Sequence, residues 1–273
     1  MATDDDVVHE AVIRDVLREM SAIDLGQTAP AMARRIHHLV REHSADPDPY
    51  LRVKEQTNRF ASSLLPEVRE RVRRARDPLE MAVRMAIAGN IIDFGLGAPV
   101  DLTTLRGTID RVATAPLLGD GDAFARDLAA ARSILFLADN AGEIVLDRVL
   151  IEELGPARVT VAVKGGPILN DALHADAEAA GLHELVEVID NGADAPGTIL
   201  DLCSEPFRQR FAAADLVIAK GQGNYETLSG VSRPVWFVLM AKCAVIARHL
   251  GCDPGTLVLQ RRPAEGPGVA AAS

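Results

Sequence analysis

Cysteine is scarce in this chain: three among 273 residues, at Cys203, Cys243 and Cys252. An odd number without close-paired spacing argues against a disulfide framework and against a zinc knuckle, and leaves buried free thiols as the simpler reading. No apolar run is long enough to span a bilayer, and Met1 to Asp6 is acidic where a signal peptide would be basic. The expected compartment is therefore the cytoplasm. Basic residues are the minority, 29 against 39 acidic, for a net charge of −10, so neither a nucleic-acid groove nor a membrane surface is expected as a partner. The longest cationic stretch, Arg69 to Arg76, is interleaved with Val68, Val72 and Ala75 and reads as a solvated helix face. Internal repeats are absent, and low complexity is confined to the Pro/Gly/Ala tail from Pro263, expected to fray.

Apolar residues make up 48% of the chain, enough to bury a substantial core. Residues 7 to about 125 carry helical periodicity. Val12, Val16, Leu17 and Met20 share one helical face, and Met32, Ile36, Leu39 and Val40 share another, with Thr28 and Pro30 at its start. Asp77-Pro78-Leu79-Glu80 is a helix start with a capping acid, proline in the first turn and a glutamate three residues on. That helix is expected to pack Leu79, Val83, Ala86 and Ile87 and to break at Gly89-Asn90.

From residue 133 the pattern changes to short apolar runs at 133–138, 158–163, 185–189, 215–219 and 234–239, separated by helical segments. This alternation predicts an α/β fold: a Rossmann-like three-layer parallel sheet with helices on both faces, preceded by an α-helical region. The expected division is 1–125 helical, 126–262 Rossmann-like and metal-binding, and 263–273 a flexible tail. Right-handed crossovers place every strand's C-terminal loop on one rim, and open α/β sheets bind ligands there.

Three of those loops are polar. Asp139-Asn140-Ala141-Gly142-Glu143 follows the first run, Lys164 to Asp171 the second, and Lys220-Gly221-Gln222-Gly223-Asn224-Tyr225-Glu226 the fourth. Asp139 and Asp171 with the Asn140 carbonyl supply the oxygen ligands that magnesium or manganese prefers. Lys220 and Lys164, with glycines that let backbone amides approach an anion, suit a phosphate. Taken singly, Asp139, Asn140 and Asp171 read equally well as helix caps, and short glycine loops are common turns; their shared rim favours a site. Asn90 and Asp93 read on spacing as a polar turn capped by Gly95. Lys54 and Asn58, four apart, read as surface residues, the seven histidines show no metal spacing, and Trp236 and Phe237 read as core.

These blocks resemble the damage-control phosphatase family, also called acidic-residue methyltransferase-like, over nearly the full length. The resemblance is carried in order by Asp48-Pro49-Tyr50 with Lys54 and Asn58, by Gly89 to Gly95, by Asp139 to Val145, by Asn170-Asp171-Ala172 and by Lys220 to Glu226, and it points to the compact prokaryotic subgroup. It implies a metal-dependent phosphatase of small phosphorylated metabolites using Mn, Ni, Co or Mg. By resemblance Asp139, Asn140 and Asp171 bind the metal, Lys220 contacts substrate phosphate, and Asn90 and Asp93 line the substrate pocket. Glu143, Lys164, Gly221 and Asn224 complete the expected substrate contacts, and Asp139, Asp171 and Lys220 are the expected catalytic residues. Prokaryotic relatives commonly begin with a short cysteine-bearing segment, and this chain starts without one.

The resulting expectation is hydrolysis by positioning and charge stabilisation, with either a water or a carboxylate such as Asp139 as nucleophile. Two rivals stand beside it. A carboxyl methyltransferase using S-adenosylmethionine would want a glycine-rich turn where Ala138-Asp139-Asn140-Ala141 stands, and a non-catalytic metabolite sensor would share fold and pocket. A haloacid-dehalogenase-type site would need Asp-x-Asp after the first strand, and Asp139 is followed by Asn140-Ala141.

Overall fold

The computed structural model describes residues 5–91 and 102–262. The chain opens with helices α1 (Asp6–Ser21), α2 (Ala29–Ser44), α3 (Leu51–Arg74), α4 (Pro78–Ile91) and α5 (Leu102–Thr114). There follow β1 (Leu117–Gly119), α6 (Gly121–Ala130), β2 (Ile134–Leu137), α7 (Glu143–Leu154) and β3 (Val159–Val163). The remainder is α8 (His174–Ala179), β4 (Glu187–Asp190), α9 (Glu205–Ala213), β5 (Leu216–Lys220), α10 (Gly221–Leu228), β6 (Val235–Met240), α11 (Ala244–Leu250) and β7 (Leu257–Arg262).

Local chemistry explains the helix starts. Thr28 caps α2 by accepting from the Ala31 N–H, and Asp77 caps α4 by accepting from the Glu80 N–H at 3.0 Å. Against expectation, α4 runs through Gly89-Asn90 to Ile91. Gly89 is a contact point and not a break: a Cβ there would lie 3.1 Å from the Glu143 Cα, so the missing side chain lets α4 approach α7. The apolar face expected on α1 is only half used. Leu17 and Met20 remain exposed because α1 packs on α2 alone among its larger contacts.

The strands form one seven-stranded sheet in the order β1-β7-β6-β5-β2-β3-β4, parallel except where β6 meets β7. Two strands were not anticipated. β1 lies inside the segment read as helical, and β7 closes the sheet near the tail. The pleat sorts side chains by parity. Ile134, Phe136, Ile218, Trp236 and Val238 join the core under α3, α4 and α7, while Leu135, Leu137, Val217, Ala219 and Phe237 join the core under α9, α10 and α11. Each Leu, Ile, Val or Phe among them, fully buried, contributes about 1.5–3 kcal/mol, and the two cores make the three-layer sandwich. Among the described residues no helix is long and apolar enough to cross a membrane.

Strand order decides where a ligand can sit. The chain winds from β2 through β3 to β4 on one side, and β5 and β6 lie on the other. Their loops part between β2 and β5, and that crevice is where open α/β sheets bind ligands.

Candidate active site

The end of β2 delivers Asp139 and Asn140 into this crevice, and a short piece of backbone pairing holds Asp171 beside them. Asn140 and Asp171 form an isolated antiparallel bridge. Ala172 N–H donates to the Asp139 carbonyl at 2.8 Å, and Ala141 N–H to the Asn170 carbonyl at 2.9 Å. Three residues from two loops are thus tied by main chain, whatever their side chains do. Both α7 and α10 begin at the site without a side-chain cap, so two positive helix ends face it.

The side chains form one connected network. Asn90 Nδ2 donates to Asp139 Oδ2 (3.1 Å) and Glu143 Oε2 (2.8 Å), and Asn140 Nδ2 donates to the same two oxygens at 2.8 and 3.1 Å. Asp171 Oδ2 lies 3.4 Å from Lys164 Nζ, and the Lys164 ammonium also donates to the Gly197 carbonyl. All of these residues but Asn140 are buried. Burial, joined by the negative charges of Glu143 and Asp171, pushes the Asp139 carboxyl well above the usual carboxylate range. Asp171 is raised to about 6, first by burial, with Lys164 opposing.

Lys220 sits elsewhere than a phosphate contact requires. Its ammonium is wholly buried and faces three protein oxygens: Glu143 Oε1 at 2.5 Å, Asp147 Oδ1 at 2.7 Å and the Ala86 carbonyl at 3.1 Å. Strand parity is the reason. Leu216 and Ile218 point to the α4–α7 side of the sheet, and Lys220 follows with the same phase. Glu143 likewise spends both oxygens on protein partners. Asn224 donates to the Ala138 and Lys220 carbonyls and accepts from Thr198, so it ties loops together. Gly221, at φ +73°, passes directly against the Asp139 carboxylate. Asp93 lies outside the described residues.

Other residues enter the site that sequence reasoning placed on the surface or missed. Lys54 and Asn58 are buried. Asn58 Oδ1 accepts from Gly142 N–H at 2.7 Å and its Nδ2 donates to Asp176 Oδ1 at 2.7 Å, while Lys54 pairs with Asp48 at 2.5 Å. The signal was present: Lys54, Asn58, Ala61, Leu64, Val68 and Val72 form one buried stripe of α3. Asp147, one helical turn after Glu143, had the same kind of signal, an acid on the inward face of an apolar helix.

The donor chemistry fits a divalent cation. Among the described residues no three His, Cys, Asp or Glu side chains cluster to hold a metal; the set here is two carboxylates and an amide. Among the described residues Asn90 Oδ1 is a buried acceptor that receives no hydrogen bond, and Asp171 Oδ2 is met by the Lys164 ammonium at 3.4 Å; oxygen ligands crowded among like charges are the environment a hard cation relieves. Asp139, Asn140 and Asp171 are the residues present that would hold one.

Comparison with known proteins covers most of the chain. The profile of the damage-control phosphatase ARMT1-like domain matches residues 1–258. A damage-control phosphatase of Pyrococcus horikoshii is 35% identical over 96% of this chain and 91% of its own length. Another, of Archaeoglobus fulgidus, is 36% identical over 83% of this chain and 80% of its own. The crystal structure of a DUF89 family protein from Pyrococcus horikoshii superposes with a TM-score of 0.83 at 31% identity, covering 95% of this chain and 92% of that one. By profile, sequence and fold together, the chain belongs to the damage-control phosphatase ARMT1-like family.

Proposed function

We propose that the crevice between β2 and β5 is a metal-dependent phosphomonoesterase site acting on small phosphorylated metabolites. The observation that carries this reading is the Asn140–Asp171 bridge, which holds two carboxylates and an amide together at the switch point of the sheet. Family membership and relatives named damage-control phosphatase support it.

Asp139, Asn140 and Asp171 would hold the divalent cation, which the family resemblance narrows to Mn, Ni, Co or Mg and an oxygen-rich donor set does not narrow further. Bound there, such a cation would supply positive charge to offset what develops on the phosphoryl oxygens. The N–H groups opening α10 at Gly221 to Gly223, together with Lys164, bind the other phosphate oxygens. Asn90 orients Asp139 through its Nδ2. Lys220 acts on the site through Glu143 and not by touching phosphate. The free thiols Cys203, Cys243 and Cys252 suit a reducing cytoplasm.

The test is phosphate release from para-nitrophenyl phosphate and a sugar-phosphate panel by metal-stripped protein, with and without each metal, beside Asp139→Ala. Metal-dependent release lost in the variant is the expected result. A folded wild-type protein that binds the metals and releases nothing overturns the reading.

A further inference from the structure

Glu143 is the hub of the buried network, and the direction of each hydrogen bond through it is fixed by chemistry. An ionised carboxylate only accepts. Glu143, ion-paired with Lys220, meets the Nδ2 of both Asn90 and Asn140 with its Oε2, at 2.8 and 3.1 Å. The two amides must therefore turn their NH2 groups inward, and a planar amide then presents its oxygen on the opposite side. Asn90 Oδ1, buried with no hydrogen-bond partner among the described residues, is such an oxygen.

Glu143 is held in turn. Its Oε1 lies 2.5 Å from Lys220 Nζ, and that ammonium is fixed by Asp147 Oδ1 and the Ala86 carbonyl. Those partners come from α4 and α7, which meet closely at Gly89, so one lysine from β5 is located by two helices at once. Lys220 and Glu143 are both fully enclosed, which leaves neither a second placement.

We infer that Glu143 and Lys220 are positioning residues that set the amide orientation of Asn140, so that it offers its carbonyl oxygen and not its NH2 to a cation. This rests on the metal role proposed for Asn140. It assigns Lys220 to the cation site at one remove, as partners behind metal ligands commonly orient them.

Glu143→Gln tests it because the shape is kept and one oxygen becomes NH2. With Lys220 present, the glutamine turns its oxygen to the ammonium and its NH2 to Asn140, which opposes the inward NH2 of Asn140 and leaves Asp139 Oδ2, at 2.8 Å, to hold it. In Glu143→Gln/Lys220→Met the ammonium is gone, so the glutamine turns its oxygen back to the two amides. Mn2+ binding to metal-stripped protein, measured by calorimetry, should weaken about tenfold or more in Glu143→Gln and recover in the double variant. A double variant that binds no more tightly than Glu143→Gln overturns the inference.

A second readout needs no metal. The Asn140 side-chain NH2 signals in a 15N spectrum, identified by their loss in Asn140→Asp, should exchange slowly with solvent in the wild type, rapidly in Glu143→Gln, and slowly again in the double variant. Asn140 signals that do not respond overturn the inference whatever Mn2+ does. A wild type with the expected Asn140 pattern that binds no divalent cation instead removes the metal role of Asn140, leaving its orientation as found. Thermal melting of each variant confirms that folded proteins are compared.

Discussion

Gly221 stands so close to Asp139 that a Cβ on it would lie 1.8 Å from Asp139 Oδ2, and its φ of +73° is one that L side chains rarely adopt. The first turn of α10 can reach the carboxylate only because the side chain is missing. Gly221→Ala should abolish phosphatase activity and Mn2+ binding together. It should also lower stability by about 1–2 kcal/mol from the backbone alone. Gly107→Ala is the matched control: it lies in α5 with nothing within 4 Å of its would-be Cβ. It should raise stability by about 0.5–1 kcal/mol and leave kcat/KM unchanged. Urea melts with Mn2+ titrations separate the two.

Asn58 joins α3 to the start of α7 and to α8, accepting from Gly142 and donating to Asp176, which itself accepts from the Leu173 N–H at 2.9 Å. Asn58→Ala leaves a buried N–H unpaired and should cost about 1–3 kcal/mol in a urea melt. Asn58→Asp should be worse, because it sets a second carboxylate against Asp176. If both variants melt like the wild type, Asn58 is not the clamp.

Asp194, in the loop after β4, gathers Arg34 and His38 from α2, with Oδ distances of 2.8 and 2.7 Å, and Arg41 reaches over to the Pro167 carbonyl at 3.1 Å. These groups are about a third exposed, so each pair contributes no more than about 1 kcal/mol. Asp194→Ala should therefore leave global stability nearly unchanged while speeding hydrogen exchange in α1 and α2. Unaltered exchange there would show that apolar packing alone seats the helical hairpin.

Burial pushes Asp147 up to about 7 even beside Lys220. Between its ordinary value near 3.8 and that pKa, the folded protein holds a proton that the unfolded chain has released. Its contribution is thus full below the lower value and lost as pH rises through the upper one. Asp171, raised to about 6, acts in the same direction. The metal-free protein should lose thermal stability from about pH 4 to pH 7. Asp147→Asn should flatten that slope, and a slope unchanged in the variant would remove Asp147 as its source.

Much of the architecture was legible because it is local. The apolar runs ending at Ala138, Val163, Ala219 and Leu239 are buried strands, and Thr28 and Asp77 cap the helices they precede. The three polar loops meet on one rim, as alternating strands and helices require. β1 was missed because three residues show no periodicity, and β7 because Leu257 to Leu259 run into Gln260-Arg261-Arg262, a polar end tolerated on the antiparallel side of β6.

What the sequence determined by itself was therefore the list of strand ends and the residues they carry. Only the tertiary structure decided which of those residues look into the crevice. Lys164 follows β3 and Lys220 ends β5, yet they leave the sheet on opposite faces. Lys164 reaches Asp171, while Lys220 turns under α4 and α7 to Glu143 and Asp147. A strand's pleat sets the face from local geometry, but the partner waiting on that face comes from strand order and helix packing. Those depend on contacts far apart in the chain, such as Lys220 with Ala86 and Asn58 with Gly142, that no local pattern encodes.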